Sequence, residues 1–160
     1  MAKRQMSEQR SEGGKPEGLA PESQDPAAQK PKPRKRCIGT GILVGGVHPM
    51  PLSRAVRAGD WVHVSGQTAI DQFGAVLQGG IEAQTRRVLD GIKSVLEQAG
   101  CSMADVVKTT VWLEDPRDFW SFNRAYAEYF PTEPPARSVV QARLMLDCKV
   151  EIEAIAYKPE

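Results

Sequence analysis

The sequence has few of the residues on which metal and redox chemistry depend. It contains three cysteines and two histidines among 160 residues. The spacing of Cys37, Cys101 and Cys148 matches neither a zinc site nor a redox pair, and the histidines form no cluster with acids. We therefore predict no metal site. The thiols are interpreted as buried or incidental cysteines of a reducing compartment, which predicts a cytoplasmic protein.

Four further absences narrow the class of protein. No apolar run reaches the ~18–20 residues that span a membrane, and the N-terminus lacks the apolar core of a secretory signal. Gly79-Gly80 does not have the pattern of a phosphate-binding loop. His48 and His63 lie in no recognisable motif for a nucleophile and its base. We predict no membrane association and no phosphate-loop chemistry.

Charge is distributed unevenly along the chain. Residues 1–37 carry nine Lys/Arg and five Asp/Glu, which leaves twelve bases and fifteen acids of the totals of 21 and 20 for residues 38–160. The first segment is also poor in apolar residues, which predicts a disordered charged tail over 1–37 and a folded domain over 38–160. The basic run 31–36 either contacts RNA or an acidic surface, or serves only as a solubilising tail. The acidic balance of the domain argues against a nucleic-acid partner.

The order of predicted elements indicates a two-layer fold. The pattern predicts a strand at 41–44, a hairpin of 54–57 and 61–65, a helix at 81–99, a strand at 105–113, a helix after Pro116, and strands at 138–142 and 149–157. We predict an α/β fold of the α+β two-layer sandwich type, a mixed sheet of about six strands with two helices on one face. The other face of the last strand, with Glu151, Glu153, Ile155 and Tyr157, suits an oligomer interface that holds a polar site.

Arg137 and two acids are the candidate site residues. Arg137 follows Pro134-Pro135 at the start of a strand, and its planar fork matches a carboxylate. Either it binds an anionic ligand or it forms a structural salt bridge. Glu151 and Glu153 stand two apart on one strand, so their side chains share a face about 7 Å apart. Either one of them is a covered acid that serves as a general acid or base, or both pair with basic residues on neighbouring strands.

Several ordered motifs resemble one known family. They are Val64-Ser65-Gly66-Gln67, Ile81-Glu82-Ala83-Gln84-Thr85, Val107-Lys108-Thr109-Thr110-Val111, Phe122-Asn123-Arg124-Ala125-Tyr126, Pro135-Ala136-Arg137-Ser138 and Val150-Glu151-Ile152-Glu153-Ala154-Ile155-Ala156. Over roughly residues 38–157 the chain is similar to the reactive intermediate deaminase (RidA/YjgF) family, although fold and function can separate.

The resemblance implies a fold, an assembly and a reaction. It implies a chorismate-mutase-like fold, a homotrimer with intersubunit sites, and hydrolysis of 2-enamino and 2-imino acids of the 2-aminoacrylate type to 2-keto acids and ammonia, without a cofactor. In this family the arginine matching Arg137 holds the substrate carboxylate, and the acid matching Glu151 places or activates water. The backbone at Gly66 lines the pocket, and Asn123 falls on a motif residue. We assign Glu153 to structure.

Two positions depart from the family pattern. Leu52 stands where the family often has Tyr, which removes a hydroxyl beside the pocket and makes the pocket more apolar, and Val139 replaces a common cysteine. These changes bear on substrate choice. The alternative function is a non-catalytic, small-ligand-binding regulatory trimer, and a third is nucleic-acid binding through the basic tail.

Overall fold

The computed structural model describes residues 35–40, 43–44, 48–71 and 73–159. These residues form eight strands and two α-helices, in the order β1 (Arg36–Thr40), β2 (Leu43–Val44), β3 (His48–Pro49), β4 (Ser53–Ala58), β5 (Trp61–Thr68), α1 (Ile81–Gln98), β6 (Val106–Leu113), α2 (Phe119–Ala127), β7 (Ala136–Gln141) and β8 (Val150–Tyr157). Short 3-10 turns at Met103–Asp105 and Pro116–Asp118 lead into β6 and α2. Residues 1–34 of the predicted tail lie outside the described residues, so its disorder stays a prediction.

Six of the strands form one mixed sheet. Their order is β1-β4-β5-β8-β6-β7, and β2 and β3 pair separately. Every neighbouring pair in the large sheet is antiparallel except β6 and β7, which are parallel and are connected through α2. The predicted α+β fold, with a mixed sheet of six strands and two helices, is confirmed.

Helix α1 covers the centre of the sheet because its apolar residues recur every three or four positions. Its fully buried apolar side chains are Val88, Leu89, Ile92, Val95 and Leu96. Each of them contributes about 1.5–3 kcal/mol by leaving water.

Beyond the end of α1, Nη2 of Arg57 donates to the carbonyl oxygen of Ala99 over 3.1 Å. Gly100 follows with φ of 78°, a conformation that favours glycine after a helix. Within the described residues, no helix is long and apolar enough to cross a membrane.

Helix α2 packs beside α1 and is fixed to the sheet by a buried hydrogen bond. Its buried side chains include Phe122 and Tyr126. The hydroxyl groups of Tyr126 and Thr109, on β6, lie 2.8 Å apart in the core. A buried hydroxyl without a partner would be costly, so this pair specifies where α2 sits on β6.

The last strand divides its side chains between two faces of the sheet, as predicted. Val150, Ile152, Ala154 and Ala156 are buried beneath the helices. Glu151, Glu153 and Ile155 alternate with them and are half-buried on the opposite face. That face is therefore covered only in part within one chain, although it carries both acids and apolar groups.

The first strand of the large sheet is not where the apolar run predicts it. Of the run 41–44 the structure describes Leu43–Val44, which pair with His48–Pro49 in the small ladder. The edge strand of the large sheet is instead β1, where Ile38 is the one buried residue. β1 is held mainly by backbone pairing with β4, which leaves little hydrophobic pattern for a sequence analysis to detect.

Candidate functional site

A cavity of about 550 Å³ opens where β5 and β8 meet the loop after β5. Its polar lining residues are Arg54, Gln67, Thr68, Asp71, Arg87 and Glu151, and its apolar ones include Met50, Leu52, Ile70, Met145 and Leu146. Gly66 also lines it. Two of the four predicted site residues, Gly66 and Glu151, therefore share one cavity, which contains both charged groups and apolar walls as ligand sites do.

Gly66 allows Glu151 to approach the backbone of β5. The pairing of β5 with β8 shifts register between Val64 and Gln67, so Gly66 lies in an irregular stretch. A methyl group at Gly66 would overlap Oε1 of Glu151 and would lie 3.1 Å from its Cδ. The absence of a side chain at Gly66 is thus what gives the carboxylate its place.

The environment of Glu151 favours its protonated form. The side chain is half-buried, and loss of water raises the pKa of its carboxyl group. The negative charge of Glu153 raises that pKa further. A carboxylate with a raised pKa is a stronger base than an exposed one, which suits it to accept a proton from water.

Arg137 lies in a separate place, against α2. Its guanidinium carbon is 4.6 Å from the ring centroid of Tyr126 and 5.4 Å from that of Phe122. Such cation–π contacts are worth about 0.5–2 kcal/mol and fix the plane of the guanidinium. In the part of the chain that the structure describes, no carboxylate forms an ion pair with Arg137. Its N–H groups are therefore available to an external acceptor.

Asn123 does not line the cavity. It follows Phe122 on α2 and is half-buried. Of the four predicted site residues, the structure thus brings together only Gly66 and Glu151. Neither Arg137 nor Asn123 lines the cavity that holds Glu151.

The register of the sheet shows that Arg137 and Glu151 leave it on opposite faces. Arg137 pairs with Thr109, whose side chain is buried under the helices. Glu151 pairs with Trp112, three residues further along β6. Since side chains alternate along a strand and paired residues share a face, an odd separation puts the two groups on different sides. One chain alone does not bring them together.

Sequence analysis did not identify the arginines of the cavity. Arg54 donates from Nη2 to Oε1 of Gln67 over 3.3 Å, and Arg87 donates from Nε to the carbonyl oxygen of Ile70 over 2.8 Å. Arg87 lies on α1 between the buried Gln84 and Val88. A basic residue so close to the apolar stripe of a helix is the signal that could have found it.

Comparison with known proteins gives matches over the folded part of the chain. Residues 47–158 match the family model described as Endoribonuclease L-PSP. A RutC family protein of Pyrococcus horikoshii is 49% identical over 110 residues, which cover 68% of this chain and 87% of that protein. The 2-iminobutanoate/2-iminopropanoate deaminase of Salmonella typhimurium is 39% identical over 112 residues, 68% of this chain and 88% of that enzyme.

A solved structure has the same architecture. It is a protein of unknown function of the conserved Rid protein family from Yersinia pestis, 36% identical, with a TM-score of 0.69. The match covers 77% of this chain and 98% of that one. At this identity the likeness extends from the fold to the amino-acid sequence.

Proposed function

The chain belongs to the RidA/YjgF family, and from that premise we propose that it hydrolyses reactive 2-imino and 2-enamino acids to 2-keto acids and ammonia. Relatives of moderate identity are named as imine deaminases. The substrate is a small molecule whose imine carbon is already electrophilic. The protein has therefore to hold the substrate and to position a water molecule, and it needs no covalent nucleophile.

The observation that carries the proposal is the half-buried carboxylate of Glu151 against Gly66 in the cavity. In the proposed step Glu151 accepts a proton from water while the water oxygen forms a bond to the imine carbon. The π electrons of the C=N bond move to nitrogen, which takes the proton from Glu151 to give a carbinolamine. Glu151 then removes the hydroxyl proton and passes it to nitrogen, so the C–N bond breaks, ammonia leaves with the bonding pair and the ketone remains. Imine and water are thus converted to keto acid and ammonia without any change of oxidation state.

We assign the substrate carboxylate to Arg137, supplied by a second copy of the chain. The support is geometric: Arg137 carries no ion pair among the described residues, yet it lies on the opposite face of the sheet from Glu151. In a closed homotrimer one surface of each copy meets a different surface of the next copy. If the side that carries Arg137 meets the side that carries Glu151, the trimer has three equivalent sites. Asn123, which follows Phe122 on α2, would reach the same substrate, and Gly66 would line its other side.

The thiols and the expected substrates support a proposal for the compartment. Cys37, Cys101 and Cys148 are all free, which accords with a reducing environment. We propose that the protein works in the cytoplasm, on imino acids as other enzymes release them.

A turnover assay tests the proposed function. A threonine dehydratase supplies 2-iminobutanoate, and ammonia release is compared with and without the protein. We expect acceleration by the wild type, loss of it in Glu151→Gln and Arg137→Ala, and wild-type rates in Arg117→Ala. Arg117 is a suitable control because its side chain is 89% exposed and pairs with Asp115 outside the cavity.

Absence of acceleration over buffer would refute the proposal. If calorimetry then shows saturable binding of 2-ketobutanoate, the protein is a ligand-binding regulator instead. The apolar wall at Leu52, where the family often has a tyrosine hydroxyl, makes this the second candidate.

A further inference from the structure

Two arginines that the proposed reaction does not use line the cavity of Glu151. Arg54 lies on β4 and Arg87 on α1, and both side chains are half-buried. Burial lowers the pKa of Arg54, and the positive charge of Arg87 lowers it further, so the two groups are close enough to repel. Like charges that share a cavity are unfavourable until an anion joins them.

Both guanidinium groups are held in place by neutral acceptors. Arg54 donates to the side-chain oxygen of Gln67 and Arg87 to the backbone oxygen of Ile70. A guanidinium has five N–H donors, so each retains donors for another partner. Within residues 35–40, 43–44, 48–71 and 73–159, no carboxylate forms an ion pair with either arginine.

The two acids of the cavity have other roles. Oδ1 of Asp71 accepts the backbone N–H groups of Phe73 and Ala75 over 2.8 and 3.0 Å, which closes the loop after β5. Glu151 lies against Gly66 and forms no ion pair with a described basic residue. The cavity therefore holds two anchored cations whose charges the acids beside them do not neutralise by direct contact.

We propose that Arg54 and Arg87 bind a second carboxylate of the substrate, so that the cavity selects 2-imino acids with an acidic side chain, of the iminosuccinate or iminoglutarate class. This inference rests on the proposed function, which assigns the first carboxylate to Arg137 and the water to Glu151. Guanidinium groups match carboxylates with paired, charge-assisted hydrogen bonds. The apolar walls at Leu52 and Met50 suit the methylene groups between the two ends.

The test compares two substrates on matched variants. L-glutamate oxidase generates 2-iminoglutarate and threonine dehydratase generates 2-iminobutanoate, and kcat/KM is measured for each. We expect the wild type to prefer 2-iminoglutarate. In Arg54→Gln/Arg87→Gln the loss of kcat/KM should be about 10- to 100-fold larger for 2-iminoglutarate than for 2-iminobutanoate. Only the dicarboxylate loses charge-assisted hydrogen bonds in this variant.

Two double variants control for charge and for folding. Arg86→Gln/Arg124→Gln removes two positive charges that pair with Glu82 and Glu128 outside the cavity, and it should keep the wild-type preference. Arg54→Lys/Arg87→Lys keeps the charges and should recover part of the preference. Circular dichroism and size exclusion show whether each variant is folded and assembled, because Arg87 also anchors the loop at Ile70.

The outcomes separate this inference from the proposed function. Hydrolysis of 2-iminobutanoate without a preference for 2-iminoglutarate overturns the inference and leaves the function standing. Equal losses on both substrates also overturn it, because the arginines would then serve the carboxylate that both substrates share. If neither imine is hydrolysed, the function fails. Calorimetry then tests the inference by itself. The protein should bind 2-ketoglutarate more tightly than 2-ketobutanoate, and this binding should weaken with salt and disappear in Arg54→Gln/Arg87→Gln. Equal binding of the two keto acids overturns the inference.

Discussion

At the scale of single residues, the proposed chemistry depends on where one carboxylate, that of Glu151, is held. Glu151 is half-buried, its pKa is raised by burial and by Glu153, and it lies against a glycine. Sequence analysis could single out Arg137 and the two acids because their types and spacing are unusual. It could not show that Arg137 stacks on the rings of Tyr126 and Phe122, because those contacts join parts of the chain far apart in sequence.

Gly66→Ala should reduce activity while leaving the fold intact. The added methyl group would overlap Oε1 of Glu151, so the flexible acid must turn away from its present position. A displacement of about 1 Å can reduce a rate about hundredfold, and we expect kcat/KM to fall by about 10- to 100-fold. Thermal unfolding should change little, because Gly66 is exposed.

Gly80→Ala is the matched control for Gly66→Ala. A side chain at Gly80 would meet no atom within 4 Å, so its activity should stay at the wild-type value. An unchanged kcat/KM in Gly66→Ala would show that the position of the carboxylate is not critical.

Glu153→Gln should move the acid limb of the pH profile to lower pH. Because the pKa of Glu151 is raised, a falling pH protonates its carboxylate at a higher pH than it protonates an exposed glutamate. Removing the charge of Glu153 lowers that pKa, although burial, the larger cause, remains. The profile of kcat/KM for one imino acid from pH 4 to pH 8 checks this, with Glu97→Gln on the exposed side of α1 as the control. A limb that does not move would mean that Glu151 is not the base.

At the scale of secondary-structure elements, the predictable part of the fold is the part with a strong period. Helix α1 buries every third or fourth residue, and strands β6 and β8 bury every second one. The sequence predicts the bounds of all three elements to within two residues at each end. Strand β1 has one buried residue, so its place depends on pairing with β4. The cavity is assembled from β4, β5, α1, β8 and three loops, and no local pattern predicts that Arg54 and Arg87 both line it.

Replacement of glycine by alanine should stabilise the protein at Gly91, on α1, and destabilise it at Gly100, just beyond the helix. Gly91 is buried in the helix, and a methyl group there would lie 3.6 Å from Oε1 of Gln67, an ordinary contact. Since glycine in a helix costs about 0.5–1 kcal/mol relative to alanine, Gly91→Ala should raise the free energy of unfolding by about that amount. Gly100 has a φ of 78°, so Gly100→Ala should destabilise by about 1 kcal/mol. Urea unfolding measures both changes, and the same sign for the two variants would contradict the backbone argument.

At the scale of the whole molecule, the proposed site requires more than one chain. Arg137 and Glu151 leave the sheet on opposite faces, and Glu151 and Glu153 share their face with half-buried apolar groups such as Ile155. The alternation along β8 indicates this second face from the sequence alone. Which surface covers it depends on the symmetry of the assembly, which the pattern of a single chain does not encode.

The most direct measurement mixes two inactive variants, Arg137→Ala and Glu151→Gln, by refolding them together in equal amounts. Suppose that each site takes its arginine from one copy and its acid from the next. In a randomly mixed trimer about half of the chains have Arg137 and about half have Glu151, so roughly a quarter of the sites have both groups and roughly a quarter of the wild-type deaminase activity returns. We expect that recovery with 2-iminobutanoate as the substrate. Activity no greater than that of the separate variants, with wild-type chains recovering fully from the same refolding, would contradict a deaminase site built by Glu151 of one chain and Arg137 of another.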